Sequence, residues 1–225
     1  AGFEVGWQVI SLFMDVLCRY GRKYAIYRGQ ANKSWALVPS AYRNNSVGID
    51  HPAHLRDWKM RASRFANPMP RDDIEWLILA QHFGLATPLL DWTVSPLIAL
   101  FFACDDPTAE DEVGTVWWTL QTKFERPYDT LMLSPFGNGA TRHKPFLIDA
   151  IGRNARSTAQ DSLLTLHTPE DYRTLTAERI FDVEPHLKRP TLDTLMKLGI
   201  SSERLHADLT RLVERIKREM LGRRA

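Results

Sequence analysis

Cysteines and long apolar runs are scarce in this 225-residue sequence. Its two cysteines, Cys18 and Cys104, each lie in an apolar segment, which excludes a disulfide framework and predicts buried free thiols. The longest apolar stretch, residues 96–104, is far shorter than the roughly 20 residues that a membrane-spanning helix requires. No signal-peptide pattern opens the chain. We therefore expect a cytoplasmic protein with no membrane partner.

The sequence also lacks a strong charge of one sign. Its 29 Lys and Arg residues nearly balance 27 Asp and Glu residues, so the net charge is only +2. That excess is too small to create a whole-protein field that attracts nucleic acid. Basic residues do concentrate on two predicted helices, at residues 56–64 and 211–224. Such faces are usually solvated, but they leave nucleic acid open as a partner.

The common enzyme signatures are missing as well. The sequence contains no GxSxG, HExxH or paired CxxC motif and no glycine-rich phosphate-binding fingerprint. His51 and His54 are three residues apart, yet no carboxylate or cysteine beside them completes a set of metal ligands. We expect no metal site, and a doubly wound nucleotide-binding fold is disfavoured.

The residues that are present predict one globular α+β domain over residues 1–225, with a core of about 20–215. Hydrophobic residues make up 44% of the chain, and seven Trp and ten Phe supply a bulky core. Apolar periodicity and capping residues predict helices at 7–20, 51–65, 72–83, 97–104, 191–198 and 202–221. Strands are predicted at 24–28, 89–93, 114–120, 162–167 and 179–183, and residues 128–154 are predicted to be mostly loop. This order favours a mixed or mostly antiparallel sheet flanked by helices.

The first candidate motif is Tyr27-Arg28-Gly29-Gln30, at the end of a short predicted strand that Gly29 would break. A guanidinium has five donors in fixed geometry and suits carboxylate or phosphate ligands. The alternative is a structural arginine paired with a buried acid such as Asp91. Gly29 would allow close approach of either a ligand or another backbone.

The second candidate motif surrounds the predicted strand 89–93. Alternation places Asp91 and Thr93 on one face and points Trp92 into the core. Ser95 follows as the predicted N-cap of a very apolar helix, and His82 precedes the turn into the strand. Because an unpaired buried polar group costs about 1–3 kcal/mol, these groups form either an internal hydrogen-bond network or a ligand site.

The order of these motifs closely resembles the FRG domain family, which is found mainly in bacteria and their phages. The resemblance covers roughly residues 20–215 and is carried by five segments: 27–30, 82–84, 89–93, 95–96 and 99–103. A weaker family feature, Gln-x-Gly-x-Phe, is matched by Gln160 to Leu164, with Ser162 in place of the glycine and Leu164 in place of the phenylalanine. Pro88 stands where the family often has an arginine.

A more distant resemblance connects the chain to ADP-ribosyltransferases of the Arg–Ser–Glu type. It implies a fold of that kind, NAD as a substrate, and a role as a toxin or phage-defence effector. Arg28, Thr93 and Gln160 would then be the catalytic residues, with Gln160 in the position of the glutamate. The loss of that negative charge would reduce the rate by about 10²–10³. Glu178 or Glu184 could substitute for it.

Two hypotheses therefore stand beside each other. In the first, an enzyme uses NAD, with Tyr27 or Trp35 stacking on a ring of the ligand. In the second, a non-catalytic module uses the same cleft to recognise a nucleotide, nucleic acid or protein partner. Both draw on one set of candidate binding residues: Tyr27, Arg28, Gly29, Gln30, His82, Asp91, Thr93 and Ser95.

Overall fold

The computed structural model describes residues 2–128, 133–136, 144–150, 158–206 and 220. Within these residues it is a single α+β domain with six helices and a six-stranded sheet. The helices are α1 (Gly2–Tyr20), α2 (Pro52–Ala62), α3 (Asp73–His82), α4 (Pro96–Cys104), α5 (Pro185–Lys197) and α6 (Ser202–His206). The strands are β1 (Ala25–Gln30), β2 (Leu89–Thr93), β3 (Gly114–Leu120), β4 (Phe146–Asp149), β5 (Ser162–Leu166) and β6 (Glu178–Val183).

Every neighbouring pair of strands in the sheet is antiparallel, in the order β4-β5-β2-β1-β3-β6. The two motif strands, β1 and β2, are therefore central neighbours. They are nevertheless weakly joined. Cα pairing between them consists of Tyr27 opposite Thr93, whereas β1 pairs with β3 over all six of its residues.

Alternate residues of β1 pack against different hydrophobic clusters. Ala25 and Tyr27 belong to the cluster that contains the apolar residues of α1 and α4. Ile26 belongs to a second cluster with Leu90 and Trp92 of β2. The helices α1 and α4 therefore cover one face of the sheet at β1, and the second cluster covers the other.

Helix α4 lies unusually close to the sheet because two strand residues there have no side chain. A Cβ atom built on Gly29 would lie 1.9 Å from the carbonyl oxygen of Ala99, and one built on Gly114 would lie 2.0 Å from that of Ala103. Ala99 and Ala103 are themselves fully buried. Small residues on both sides thus let the helix backbone contact β1 and β3 directly.

Local signals predicted several element boundaries correctly. Strands β2 and β3 have the predicted bounds. Asp72 caps α3 by accepting a hydrogen bond from the Glu75 amide at 2.7 Å, and Ser95 caps α4 by accepting one from the Ile98 amide at 3.5 Å. The mostly antiparallel α+β prediction is confirmed by the sheet.

Four predictions were wrong. Gly29 does not break β1, because the strand continues to Gln30. The segment predicted as loop contains β4, which pairs with four residues of β5. Cys18 is exposed on α1 rather than buried, whereas Cys104 is buried as predicted. The predicted helix 191–198 begins earlier, at Pro185.

The early start of α5 places Pro190 inside the helix, where proline is normally unfavourable. Packing explains it. Gly6 of α1 lies against the carbonyl of Pro190, and a Cβ atom on Gly6 would come within 2.1 Å of that oxygen. The Thr194 hydroxyl donates to the same carbonyl at 2.9 Å. Tertiary contact with α1 therefore stabilises a helix that the local sequence disfavours.

Two predicted features fall wholly or partly outside the described residues. The predicted helix 202–221 is described from Ser202 to His206, and the basic stretch 211–224 lies almost entirely outside. No helix among the described residues has both the length and the apolar character needed to cross a membrane.

The contact between Gly29 and α4 generates a stability prediction. Gly29→Ala should lower the free energy of unfolding by about 1–3 kcal/mol or more, because the new methyl group overpacks against the α4 backbone. Gly2→Ala is the matched control, since a Cβ there meets nothing within 4 Å. Urea unfolding of both variants checks this. Equal stability of Gly29→Ala and the native protein would contradict it.

Candidate functional site

Arg28 lies where the pairing between β1 and β2 has ended. Its Nη1 donates to the backbone carbonyl of Asp91 at 2.7 Å. The same nitrogen is 3.8 Å from the Asp91 carboxylate, which is an ion pair but not a hydrogen bond. Its Nε is buried and has no hydrogen-bond partner among the described residues. The guanidinium thus spans the opened strand pair while part of its donor capacity is unused.

The Asp91 carboxylate is positioned from the other side by α3. Gln81 donates from its amide nitrogen to Asp91 at 2.7 Å, and its amide oxygen accepts from the Thr87 hydroxyl at 2.8 Å. Thr87 is fully buried, so this chain of hydrogen bonds is anchored in the core. The Asp91 side chain remains 47% exposed. We call Arg28, Arg43, Gln81, Thr87 and Asp91 the Arg28–Asp91 cluster.

Arg43 adds a second cation to this cluster from the loop after β1. Its Nε donates to the Val38 carbonyl at 3.0 Å, which holds the side chain near the site. Burial lowers the pKa of Arg28, the Asp91 carboxylate opposes this, and the Arg43 charge adds to the lowering. An arginine remains protonated even so. The charges of two guanidinium groups therefore act on one carboxylate, and the cluster has a positive excess.

The other residues of the first motif serve mainly the fold. Tyr27 is only 4% exposed, and its hydroxyl donates to the Tyr20 carbonyl at 3.4 Å. Burial raises the pKa of Tyr27. The Gln30 side-chain oxygen accepts from Trp117 Nε1 at 2.5 Å. Gly29 faces α4. The close approach that this glycine allows is made by the backbone of that helix.

Thr93 and Gln160 form a second polar group, separate from the Arg28 guanidinium. The Thr93 hydroxyl donates to the Gln160 carbonyl at 2.8 Å and accepts from the Ser95 amide at 3.0 Å. The Gln160 side-chain amide donates to the Leu205 carbonyl at 2.9 Å. Thr93 and Gln160 are 4% and 6% exposed. These bonds join β2, the start of α4, the segment before β5 and α6.

The faces of the sheet explain this separation. Thr93 is directly opposite Tyr27 and so shares its face, whereas the next residue, Arg28, points the other way. Sequence order brings Arg28, Thr93 and Gln160 into one candidate set. In three dimensions Thr93 and Gln160 meet each other. Arg28 reaches Asp91, although alternation places Asp91 on the Thr93 face, because the pairing of β1 with β2 has ended there. Their assignment as catalytic residues stays a prediction.

The remaining predicted site residues lie around these two groups. Ser95 is partly buried and occupied as the N-cap of α4. His82 ends α3, with its ring 5.0 Å from that of Phe83. Trp35 is 38% exposed and available for stacking. Glu178 and Glu184, the proposed substitutes for a catalytic glutamate, are both exposed.

Sequence reasoning did not assign a role to Gln81, Thr87 or Arg43. Gln81 directly precedes His82 of the second motif, so its position offered a signal. Arg43 lies in an irregular segment with no periodicity to orient it. Within the described residues, His, Cys, Asp and Glu side chains form no group of three or more that could hold a metal ion. The Cys104 thiol is also an unsuitable nucleophile, since burial raises its pKa to about 12.

Part of this domain matches a known protein family. Residues 23–112 match the family model of the FRG domain. The resemblance based on the motifs at 27–30, 82–84 and 89–93 is therefore confirmed for this segment. The searches of curated proteins and of solved structures found no match.

The matched segment ends inside the fold rather than at its edge. It contains β1 and β2 but not β3, the strand that pairs with β1 over six residues. Lys188 of α5 also holds this segment from outside. Its buried ammonium donates to the carbonyls of Ala31 and Ala109, each at 2.6 Å, and burial lowers its pKa. The structural unit is thus larger than the matched segment.

This arrangement predicts that a fragment of residues 23–112 does not fold by itself. Without β3 the backbone of β1 loses its main partner, and without α5 the two Lys188 hydrogen bonds are lost. The fragment should give a disordered far-UV circular dichroism spectrum beside a folded full-length chain. A cooperative urea transition of the fragment would count against this interpretation.

The hydrogen bonds of Thr93 predict a structural effect of its hydroxyl. Thr93→Val should lower the free energy of unfolding by about 1–3 kcal/mol, because buried backbone groups lose their partner. Thr93→Ser retains the hydroxyl and is the matched control, with a smaller loss. Thermal and urea unfolding measure both. If both variants lose equal stability, the hydroxyl is not the cause.

Proposed function

We propose that the Arg28–Asp91 cluster binds a nucleotide-type anionic ligand. The observation that carries this proposal is the incomplete pairing of Arg28. When an arginine is paired with a carboxylate, the two groups frequently form a bidentate pair. Here one bond goes to a backbone carbonyl, the carboxylate is 3.8 Å away, and Nε has no partner among the described residues. Phosphate oxygens are suitable acceptors for the guanidinium donors that remain, since 16% of the Arg28 side chain is exposed.

The charges of the cluster favour an anion that also carries hydroxyl groups. Arg28 and Arg43 outnumber Asp91, so a negative ligand would balance the site. The half-exposed Asp91 carboxylate, oriented by Gln81, is free on its solvent side to accept a hydrogen bond from a sugar hydroxyl. A nucleotide combines phosphate with hydroxyl groups. Trp35, exposed in the loop after β1, is a candidate for stacking on its base.

Binding without turnover is favoured over NAD chemistry. An ADP-ribosyltransferase would need Thr93 and Gln160 beside the ligand, whereas their polar atoms are engaged in buried internal hydrogen bonds. The order of Arg28, Thr93 and Gln160 along the chain is what supports the NAD-using alternative. The proposed role as a toxin or phage-defence effector belongs to that alternative.

Nucleic acid is a less favoured ligand. Two cations of the basic α2 face are already paired, Arg61 with Asp57 at 2.9 Å and Lys59 with Asp73. Exposed pairs of this kind add little stability, but each reduces the charge that the face presents. Arg56 and Arg64 remain exposed there. Any nucleic-acid binding through this face would weaken steeply with salt.

The proposal predicts that Arg28 dominates nucleotide affinity. Arg28→Ala should weaken binding of ADP and NAD about tenfold to a hundredfold, the usual effect of losing a charge-assisted hydrogen bond. Arg43→Gln, at the surface, should weaken it about threefold to tenfold. Arg61→Ala on α2 is the control and should change nothing. Isothermal titration calorimetry measures affinity, and circular dichroism verifies that each variant is folded.

Two further measurements separate the alternatives. A nicotinamide-release assay detects NAD turnover, and its absence together with retained NAD binding supports the binding module. A single-stranded oligonucleotide titrated at 50 and 200 mM salt tests for a polyanion. The proposal fails if the folded native protein gives no heat with ADP or NAD, or if Arg28→Ala binds them as well as Arg61→Ala does.

A further inference from the structure

A pocket of about 570 Å³ lies at the end of β3, away from the Arg28–Asp91 cluster. Its described lining comes from three segments, residues 120–124, 144–145 and 175–176. All three lie outside the FRG match at 23–112. The volume is within the range typical of sites for small organic ligands.

Hydrogen bonds hold the walls of this pocket in place. The Glu125 amide donates to the Pro145 carbonyl at 3.1 Å, and the Leu147 amide donates to the Glu125 carbonyl at 2.7 Å. The Thr119 hydroxyl donates to the Thr176 carbonyl at 2.7 Å, which ties the third segment to β3. A pocket whose walls are joined in this way is largely preformed, so a ligand would not have to order them.

The lining combines an apolar floor with cationic and hydroxyl groups. The apolar members are Leu120, Phe124, Pro145 and Leu175. The polar members are Thr122, Thr176, Lys123 and Lys144. No acidic residue lines the pocket within the described part of the chain; Glu125 follows its wall in sequence but is not part of the lining. Neither ammonium is among the salt bridges between described residues.

We propose that this pocket binds a small organic anion that has an apolar body and a single carboxylate or phosphate group. The apolar floor would hold the body, and Lys123 and Lys144 would hold the anionic group. Charge complementarity selects this class, because the two ammonium groups lack an internal counter-charge within the described residues. A cationic or neutral ligand of the same shape would lose that attraction.

The pocket is also connected to the motif strands through its floor. The Phe124 ring packs against Trp92 of β2, with ring centroids 6.3 Å apart. Phe124 and Trp92 belong to one buried cluster with Ile26 and Leu90. Ile26 precedes Arg28 by two positions, and Leu90 directly precedes Asp91. The pocket is nevertheless a separate site, because it shares no lining residue with the Arg28–Asp91 cluster.

Three probes of similar shape and different charge test this proposal: 3-phenylpropionate, phenyl phosphate and the neutral 3-phenylpropanol. Each is titrated into the full chain carrying labelled leucine methyl groups, and the NMR shifts of Leu120 and Leu175 report binding in the pocket. Both anions should bind about twofold to thirtyfold more tightly than the alcohol, the range expected for two exposed charge pairs. The difference between the two anions shows whether the lysines prefer carboxylate or phosphate.

Matched variants then identify the source of this preference. In the double variant Lys123→Gln/Lys144→Gln, the anions and the alcohol should bind with similar affinity. Lys197→Gln, whose ammonium lies over the Phe3 ring of α1, should retain the preference, and so should Arg28→Ala, which separates this site from the nucleotide proposal. The inference is overturned if the Leu120 and Leu175 methyl groups do not shift, if all three probes bind equally to the native chain, or if Lys197→Gln abolishes the preference.

Discussion

Direct contact between the backbone of α4 and the central strands is the constraint on which the rest of this structure depends. It requires glycine at two strand positions, Gly29 and Gly114, and alanine at the facing helix positions, Ala99 and Ala103. Any side chain on either strand residue would push the helix outward. The glycine of the Tyr-Arg-Gly motif and the apolar helix after Ser95 are therefore two halves of one packing contact. By fixing β1 against α4, that contact also fixes the direction in which Arg28 leaves the strand.

The candidate site arises where regular pairing in the sheet stops. Between β1 and β2 the Cα register consists of Tyr27 opposite Thr93, and beyond this pair the Asp91 carbonyl receives a side-chain donor from Arg28 instead of a strand neighbour. At this position a guanidinium satisfies a backbone acceptor that β1 leaves unpaired, and it still has N–H donors that form no hydrogen bond within the described part of the chain. In our proposal one residue thus serves both the fold and a ligand, which is why the sequence alone left the two roles open.

Polar residues that sit next to each other in a motif need not share a task. Asp91 and Thr93 lie on one strand and were grouped together, yet Asp91 remains half exposed beside Arg28 while Thr93 is buried against Gln160. The difference comes from what packs above each residue. Gln81 of α3 approaches Asp91, and Leu205 of α6 lies beyond Gln160. The pocket lined by Lys123 and Lys144 shows that a candidate site can also lack any sequence motif, since its residues come from segments in which none was found.

The sequence by itself determined the parts of this protein that local chemistry controls. The bounds of β2 and β3, the caps at Asp72 and Ser95, the inward direction of Trp92 and the FRG motifs all follow from alternation, capping and residue order over a few positions. Only the tertiary structure decided the rest. Helix α5 runs through Pro190 because α1 packs on it, β4 forms because β5 pairs with it, and Arg28 and Thr93 separate because adjacent strand residues face opposite ways. Each of these outcomes depends on a partner distant in sequence, and local propensity contains no information about that partner.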